Sequence, residues 1–282
     1  LNVNFKNGTF FSGKNLTDVQ SKNRSTILQI IRLMGCVSRK ELAALTGLNA
    51  STVTYIIKSL LELGLVVETG TYASHKTIGV AINYDSRYVI GIQLARKHIA
   101  CGLFNLDAKE LYSEKIEIVS SISVDEAVKI MKELVHKMLK QSGAREKVAA
   151  VGIAAPGPLN IAKGRIAFIS NFTGWRDIPI KEIIEAEFNI ETIIEHDAHA
   201  AALAEKWLGI GKESNNLIYI AAGRGVGAGI IINREVYHGS QGIAGEIGHA
   251  TIDLNGPRCE CGNIGCLELY CSSTALINKT RQ

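Results

Sequence analysis

Apolar residues recur at helical spacing three times in the first third of the chain. Ile27, Leu28, Ile30, Ile31 and Met34 predict a helix from Ser25 to Met34, closed by Gly35. Ser38 stands at the N-cap of a second helix, with Glu41 at the capping-box position and Leu42, Ala43 and Leu45 as its apolar face before Gly47. Asn49 or Ser51 caps a third, running to about Leu63, with Val53, Ile56, Ile57, Leu60 and Leu61 facing inward. Two β-rich segments then flank a polar turn containing His75 and Lys76, which predicts a hairpin. Residues 1–20 show no period and predict an extended arm.

From Tyr88 the pattern changes. Three short strands joined by turns come first, and the stripe Ala127, Val128, Ile130, Met131, Leu134, Val135 and Met138 then predicts a helix from about Val124 to Gln141. The apolar strand VAAVGIAAPGPL runs into a Gly-Pro turn, and an Ala-rich helical run begins at Asp197, which reads as its N-cap.

Three short helices can form a small bundle with no nucleic-acid role. Here their order and spacing, followed by a hairpin, fit a winged helix-turn-helix over residues 21–84. The outer face of the third helix carries Ser51, Thr52, Thr54, Tyr55 and Lys58, side chains that can reach base edges and phosphates. Ser38, Asn49 and the wing-tip pair His75 and Lys76 complete the expected DNA-binding set. Charge agrees with this placement: up to residue 84 the chain has nine Lys and Arg against four Asp and Glu, and beyond it 22 against 23.

With 282 residues and 46 % hydrophobic content, the chain can bury a sizeable core. It has no membrane-length apolar run and no export signal at its start, so the expectation is a cytoplasmic protein without a membrane partner. Three of its six cysteines, Cys259, Cys261 and Cys266, fall within the run from Gly245 to Glu268, with His249 upstream. A Cys3His set can close a tetrahedral structural Zn2+ site, and Gly262 and Gly265 let the loop turn. The alternatives are disulfides or small buried hydrophobes, although Cys259 and Cys261 are too close to pair easily. Cys36, Cys101 and Cys271 read as core residues, and His98, His136 and His238 show no partner pattern. Glu246 and Glu268 lie near the ligands, where a metal knot could aim them at a small polyol.

The run GEIGH followed by CECGNIGCLE resembles the signature of the ROK family of repressors, open reading frames and sugar kinases. The resemblance covers residues 22–278 and implies an α/β protein: a winged helix-turn-helix, then an actin-like (ribonuclease H-like) ATPase-fold sugar-binding domain over 85–282, with the family's C-terminal part missing. It also implies sugar contacts from Gly157, Asn171, Asp197, Glu246, His249 and Glu268, with Asp197 at the position of the kinases' catalytic base. Where those kinases hold magnesium and ATP phosphates on an Asp and a Gly-Gly-Thr run, this chain has Gln93 and then Ala95, Arg96 and Lys97; Arg224 replaces a Thr in the second loop. Gln lacks the charge that orients hydrated magnesium, and side chains at 95 and 96 obstruct phosphate approach, so ATP binding and catalysis are not expected.

The expected function is therefore a sugar-responsive transcriptional regulator, similar to the family's xylose-repressor branch. Its partners would be operator DNA, a monosaccharide of the glucose or xylose class and a second copy of the chain in a homodimer or higher homo-oligomer. A sugar kinase using Asp197 as base, or a sugar sensor acting through a protein partner, are the competing readings.

Overall fold

The computed structural model describes residues 16–72, 77–119, 121–169, 172 and 174–280. The chain divides into two compact units, Leu1–Arg87 and Tyr88–Gln282.

The first unit is built from α1 (Leu16–Met34), β1 (Cys36–Ser38), α2 (Arg39–Thr46), α3 (Ala50–Glu62), β2 (Val66–Tyr72) and β3 (Thr77–Ile82). Helical periodicity places Ile27, Ile31, Leu42, Val53, Ile57 and Leu60 on inward faces, and all are fully buried in one core with Val37, Val66 and Val80. Removing this much apolar area from water is the main force holding the three helices together. At the start of α2 the capping box is complete: Ser38 Oγ accepts from the Glu41 amide at 3.2 Å, and Glu41 Oε2 accepts from the Ser38 amide at 2.8 Å. Gly47 ends α2 at φ 70°, and Asn49 Oδ1 caps α3 by accepting from the Thr52 amide at 2.7 Å.

Two features depart from the sequence reading. α1 covers Leu16–Met34, so residues 16–20 are helical rather than part of an extended arm, and Asp18 suits the positive end of the helix. β1, too short to show a period, pairs antiparallel with β3 and makes the wing three-stranded in the order β1-β3-β2.

In the second unit, β4 (Tyr88–Leu94), β5 (His98–Asn105) and β6 (Glu110–Glu117) form an antiparallel meander, joined by β7 (Val148–Ala155). α4 (Val124–Gln141) buries Ala127, Met131, Leu134, Val135 and Met138 on the predicted stripe. A small sheet of β8 (Leu159–Asn160), β9 (Arg165–Phe168) and β10 (Arg176–Ile178) precedes α5 (Ile180–Phe188), which buries Ile180, Ile184 and Phe188. β11 (Thr192–His196) runs parallel to β7, and β7 parallel to β4, giving the order β11-β7-β4-β5-β6. All these apolar side chains form one core.

α6 (Asp197–Trp207) leaves β11 directly and lies on a second antiparallel sheet of β12 (Leu217–Ala222), β13 (Val226–Ile232) and β14 (Glu235–Val236). α7 (Glu268–Cys271) and α8 (Ser273–Thr280) follow. Three glycines permit close approach around β13. A Cβ at Gly229 would overlap the Ala198 carbonyl of α6, one at Gly245 the Ala228 carbonyl, and one at Gly248 the Val226 carbonyl.

Candidate functional site

α3 has two faces. Val53, Ile56, Ile57 and Leu60 are buried, whereas Ser51, Thr54, Tyr55 and Lys58 are exposed, Tyr55 at 65 %. A large aromatic ring left in water beside short hydroxyls and a cation suits contact with a polyanion's groove. Ser51, Thr52 and Tyr55 also line a groove of ≈ 370 Å³ with Asn23 and Arg24 of α1. Arg24 escaped the sequence reading, and its Nε is buried without a hydrogen-bond partner among the described residues.

Ser38 does not belong to this surface. It is 5 % exposed, and its hydroxyl donates to Glu41 Oε2 at 2.8 Å while accepting from the Glu41 amide, so it shapes α2 instead. Asn49 is exposed, with its Oδ1 held by the Thr52 amide and Ser51 hydroxyl, and the Thr54 hydroxyl donates to the Ala50 carbonyl at 2.8 Å. His75 and Lys76 lie outside the described residues.

In the second unit, His249, Cys259, Cys261 and Cys266 present one ligand atom each, all within 4.8 Å of one another. Cys259 Sγ lies 3.7 Å from His249 Nδ1, and Cys261 Sγ 3.7 Å from Cys266 Sγ. A tetrahedral Zn2+ with Zn–S of about 2.3 Å and Zn–N of about 2.0–2.1 Å separates its ligand atoms by about 3.6–3.8 Å. Two donor pairs therefore stand at the spacing a metal requires, and the Cys261 and Cys266 sulfurs are far beyond the about 2.05 Å of a disulfide. Burial pushes the Cys259 thiol up to about 12, helped by the side chains of Cys261, Cys266 and Glu268 and opposed by the Cys261 backbone; burial also raises Cys266. A bound cation would reverse that and hold thiolates. Of the three other cysteines, Cys101 is buried and Cys36 half-buried, but Cys271 is exposed on the short α7, against the expectation of a core residue.

A second group converges where β11 meets α6. His196 Nε2 lies 3.6 Å from Glu246 Oε1, and His196 Nδ1 3.4 Å from Asp197 Oδ1. Gly157 closes this group: a Cβ there would come 2.6 Å from His196 Cδ2 and 3.5 Å from Glu246 Oε1. His196, not Asp197, is the N-cap of α6, its Nδ1 accepting from the Ala198 amide at 3.3 Å; Asp197 is the first helical residue. Glu268 sits on the metal-cluster side, with Oε1 at 3.6 Å from His249 Nδ1 and 3.5 Å from Cys259 Sγ. The His249 amide donates to the Glu246 carbonyl, which fastens the two groups together through one turn. Asn171 lies outside the described residues.

A model of the ROK family matches residues 89–282. The chain belongs to the ROK family. A winged helix-turn-helix DNA-binding model matches residues 20–67. A xylose repressor of Bacillus spizizenii is 35 % identical over 93 % of this chain and 68 % of its own length. The DNA-binding transcriptional dual regulator NagC of Escherichia coli is 27 % identical over 93 % of this chain and 65 % of its own. The chain thus spans about two thirds of these curated relatives.

Among solved structures, a ROK transcriptional regulator described as a homologue of the E. coli MLC protein superposes with a TM-score of 0.82 at 26 % identity, over 93 % of this chain and 67 % of that one. A ROK glucokinase from Streptomyces griseus, in complex with glucose and AMPPNP, reaches 0.61 at 31 % identity over 68 % of this chain and 59 % of the enzyme. The unit from Tyr88 therefore has the ROK actin-like fold.

Gln93 is exposed on β4 with its Oε1 3.2 Å from His98 Nε2, and Arg224 is exposed in the β12–β13 turn, where its carbonyl accepts from the Thr274 hydroxyl. His98 and His136, patternless in sequence, both find neighbours: Gln93 for the first, and Glu187 at 3.8 Å with the Phe188 ring for the second. His238 also gains one, with Nε2 2.9 Å from Glu195 Oε2. Distance along the chain hid the contacts of His136 and His238, whereas Gln93 and His98 meet across the turn between β4 and β5. No helix among the described residues is long and apolar enough to cross a membrane.

Proposed function

We propose that this protein is a sugar-responsive DNA-binding repressor of carbohydrate-utilisation genes, acting on operator DNA as a homodimer or higher homo-oligomer. The observation that carries the reading is the exposed polar face of α3 on a winged head, in the same chain as a group of His196, Asp197 and Glu246 that would serve as the sugar site. The xylose repressor and NagC names of its relatives support it.

On DNA, Ser51, Thr52, Thr54 and Tyr55 would meet base edges in the major groove, with Asn49, Arg24 and Lys58, and His75 and Lys76 of the wing, holding phosphates. In the sugar site, Asp197, Glu246 and Glu268 would accept hydrogen bonds from hydroxyls, while Gly157 leaves room and Asn171 and His249 supply further polar contacts. The effector is a monosaccharide of the glucose or xylose class. Its binding free energy would be linked to DNA affinity, and reciprocity requires that operator DNA change sugar affinity by the same factor.

The donors His249, Cys259, Cys261 and Cys266 would hold a structural Zn2+. Four protein ligands leave no open position, so the ion would supply cross-linking and a fixed loop rather than Lewis-acid chemistry. Gln93, Ala95, Arg96 and Arg224 argue against nucleotide binding and hence against an enzyme. The competing reading, a sugar kinase, is favoured by Asp197 at the position of a general base; sugar-dependent ADP release by the purified protein would establish it.

The test of the repressor reading is fluorescence anisotropy on DNA from upstream of the protein's own gene, across a salt series, with a panel of monosaccharides. Expected are tight, steeply salt-dependent binding and a shift with one sugar. Binding no tighter than to unrelated DNA, with or without sugar, would overturn it.

A further inference from the structure

Beside the sugar cluster, and separate from the Cys3His group, three side chains from distant segments meet. Glu195 ends β11, His199 lies in the first turn of α6, and His238 follows β14. Their ligand atoms all fall within 4.8 Å of one another. Glu195 Oε1 is 3.0 Å from His199 Nδ1, and Oε2 is 2.9 Å from His238 Nε2. The His199 and His238 rings meet edge to face at 5.2 Å.

His199 poses a hydrogen-bonding conflict. Its Nε2 faces the Ala244 carbonyl at 3.0 Å, and its Nδ1 faces the Glu195 carboxylate. Both neighbours are acceptors, but a neutral imidazole carries one proton, so one contact would be lone pair against lone pair. The ring is 1 % exposed, so water does not relieve it. Three arrangements resolve it: the ring is an imidazolium, Glu195 is protonated and donates to Nδ1, or a cation stands between Nδ1 and the carboxylate.

We propose that Glu195, His199 and His238 form a second metal site, for a divalent transition ion of the zinc type. Two imidazoles and one carboxylate are a donor set such ions prefer, and the ion's charge offsets that of the half-buried carboxylate. The Ala244 carbonyl takes the Nε2 proton of His199, which fixes the tautomer with Nδ1 free to ligate; metal-bound histidines are held this way by an outer carbonyl or carboxylate. Bonds of about 2.0–2.1 Å in a tetrahedron separate ligand atoms by about 3.3 Å, so each Glu–His pair needs to open only slightly. Three protein ligands leave a position for water or a ligand hydroxyl, unlike the closed Cys3His set. The ion would tie the segment carrying His238 to the β11–α6 junction, where His196 and Asp197 begin the sugar cluster.

The test uses the purified full chain, stripped with a chelator and titrated with Co2+ alone. Thiolate-bound cobalt is counted from its sulfur-to-metal absorption and total bound metal by mass spectrometry after dialysis. One equivalent beyond the thiolate-bound metal is expected. His238→Ala and Glu195→Gln should each lose that equivalent while keeping the thiolate absorption; the His238 side chain is 36 % exposed, so its truncation leaves little buried void. No metal beyond the thiolate-bound share, or an extra equivalent that persists in both variants, overturns the site. The first outcome would leave a proton, on His199 or Glu195, to hold the contact instead of a metal.

Discussion

His196 Nε2 and Glu246 Oε1 lie 3.6 Å apart, bringing the cap of α6 against the turn that leads to the cysteine cluster. A hydroxyl entering between Glu246 and Asp197 would meet two acceptors from segments far apart in sequence. Loss of a hydrogen bond to a charged group costs about 1.5–3 kcal/mol. Asp197→Asn and Glu246→Ala should therefore weaken sugar binding by about ten- to a hundredfold by calorimetry, with operator affinity in the absence of sugar unchanged. Gly157→Ala should do the same by displacing the His196 ring.

On the head, Tyr55→Ala and Lys58→Ala should weaken operator binding without changing the melting temperature, because both side chains are exposed. They should differ in salt response. Removing the Lys58 charge should lower the slope of log K against log salt by about one, whereas Tyr55→Ala should leave it intact. Equal salt slopes in all three proteins would remove Lys58 from the phosphate contacts.

The capping box gives the head a pH dependence. Hydrogen bonds from the Ser38 amide and hydroxyl hold Glu41 below the ordinary carboxylate value. For a carboxyl depressed in the folded state, the stabilisation is present above the ordinary value and is lost as pH falls through the folded one. Protection of α2 amides against hydrogen exchange, taken relative to the intrinsic rate at each pH, should fall on acidification below about pH 4, the ordinary range for Glu, and Glu41→Gln should flatten that response.

Chelation of the Cys3His site should lower the melting temperature of the Tyr88–Gln282 unit, and Cys259→Ser should lower it similarly without chelator. Re-addition of Zn2+ should restore the wild type only. Unchanged melting after metal loss verified by mass spectrometry would show that the cluster does not staple the fold.

The helical head was legible because its core residues sit at 3.6-residue spacing, and the Cys3His set because its ligands span only a short stretch of chain. β1 was not legible, since three residues carry no period and its pairing with β3 is remote. Ser38 illustrates a different limit: its residue type fits both a phosphate contact and a cap, and only its burial separates them. The Glu195–His238 contact closes across 43 residues, and nothing local to His238 announces it. Likewise His196 precedes Asp197 at a helix start where either side chain could cap; backbone geometry gave the role to His196.

The glycines at 229, 245 and 248 press α6 and the Gly245–His249 turn onto the β13 backbone with no side chain between. Asp197, Glu246 and His249 are thereby anchored to a single strand and must travel as one rigid casting. A sugar meeting them would spend little of its affinity on arranging its own receptor. Any motion it provokes must be displacement of the casting as a whole.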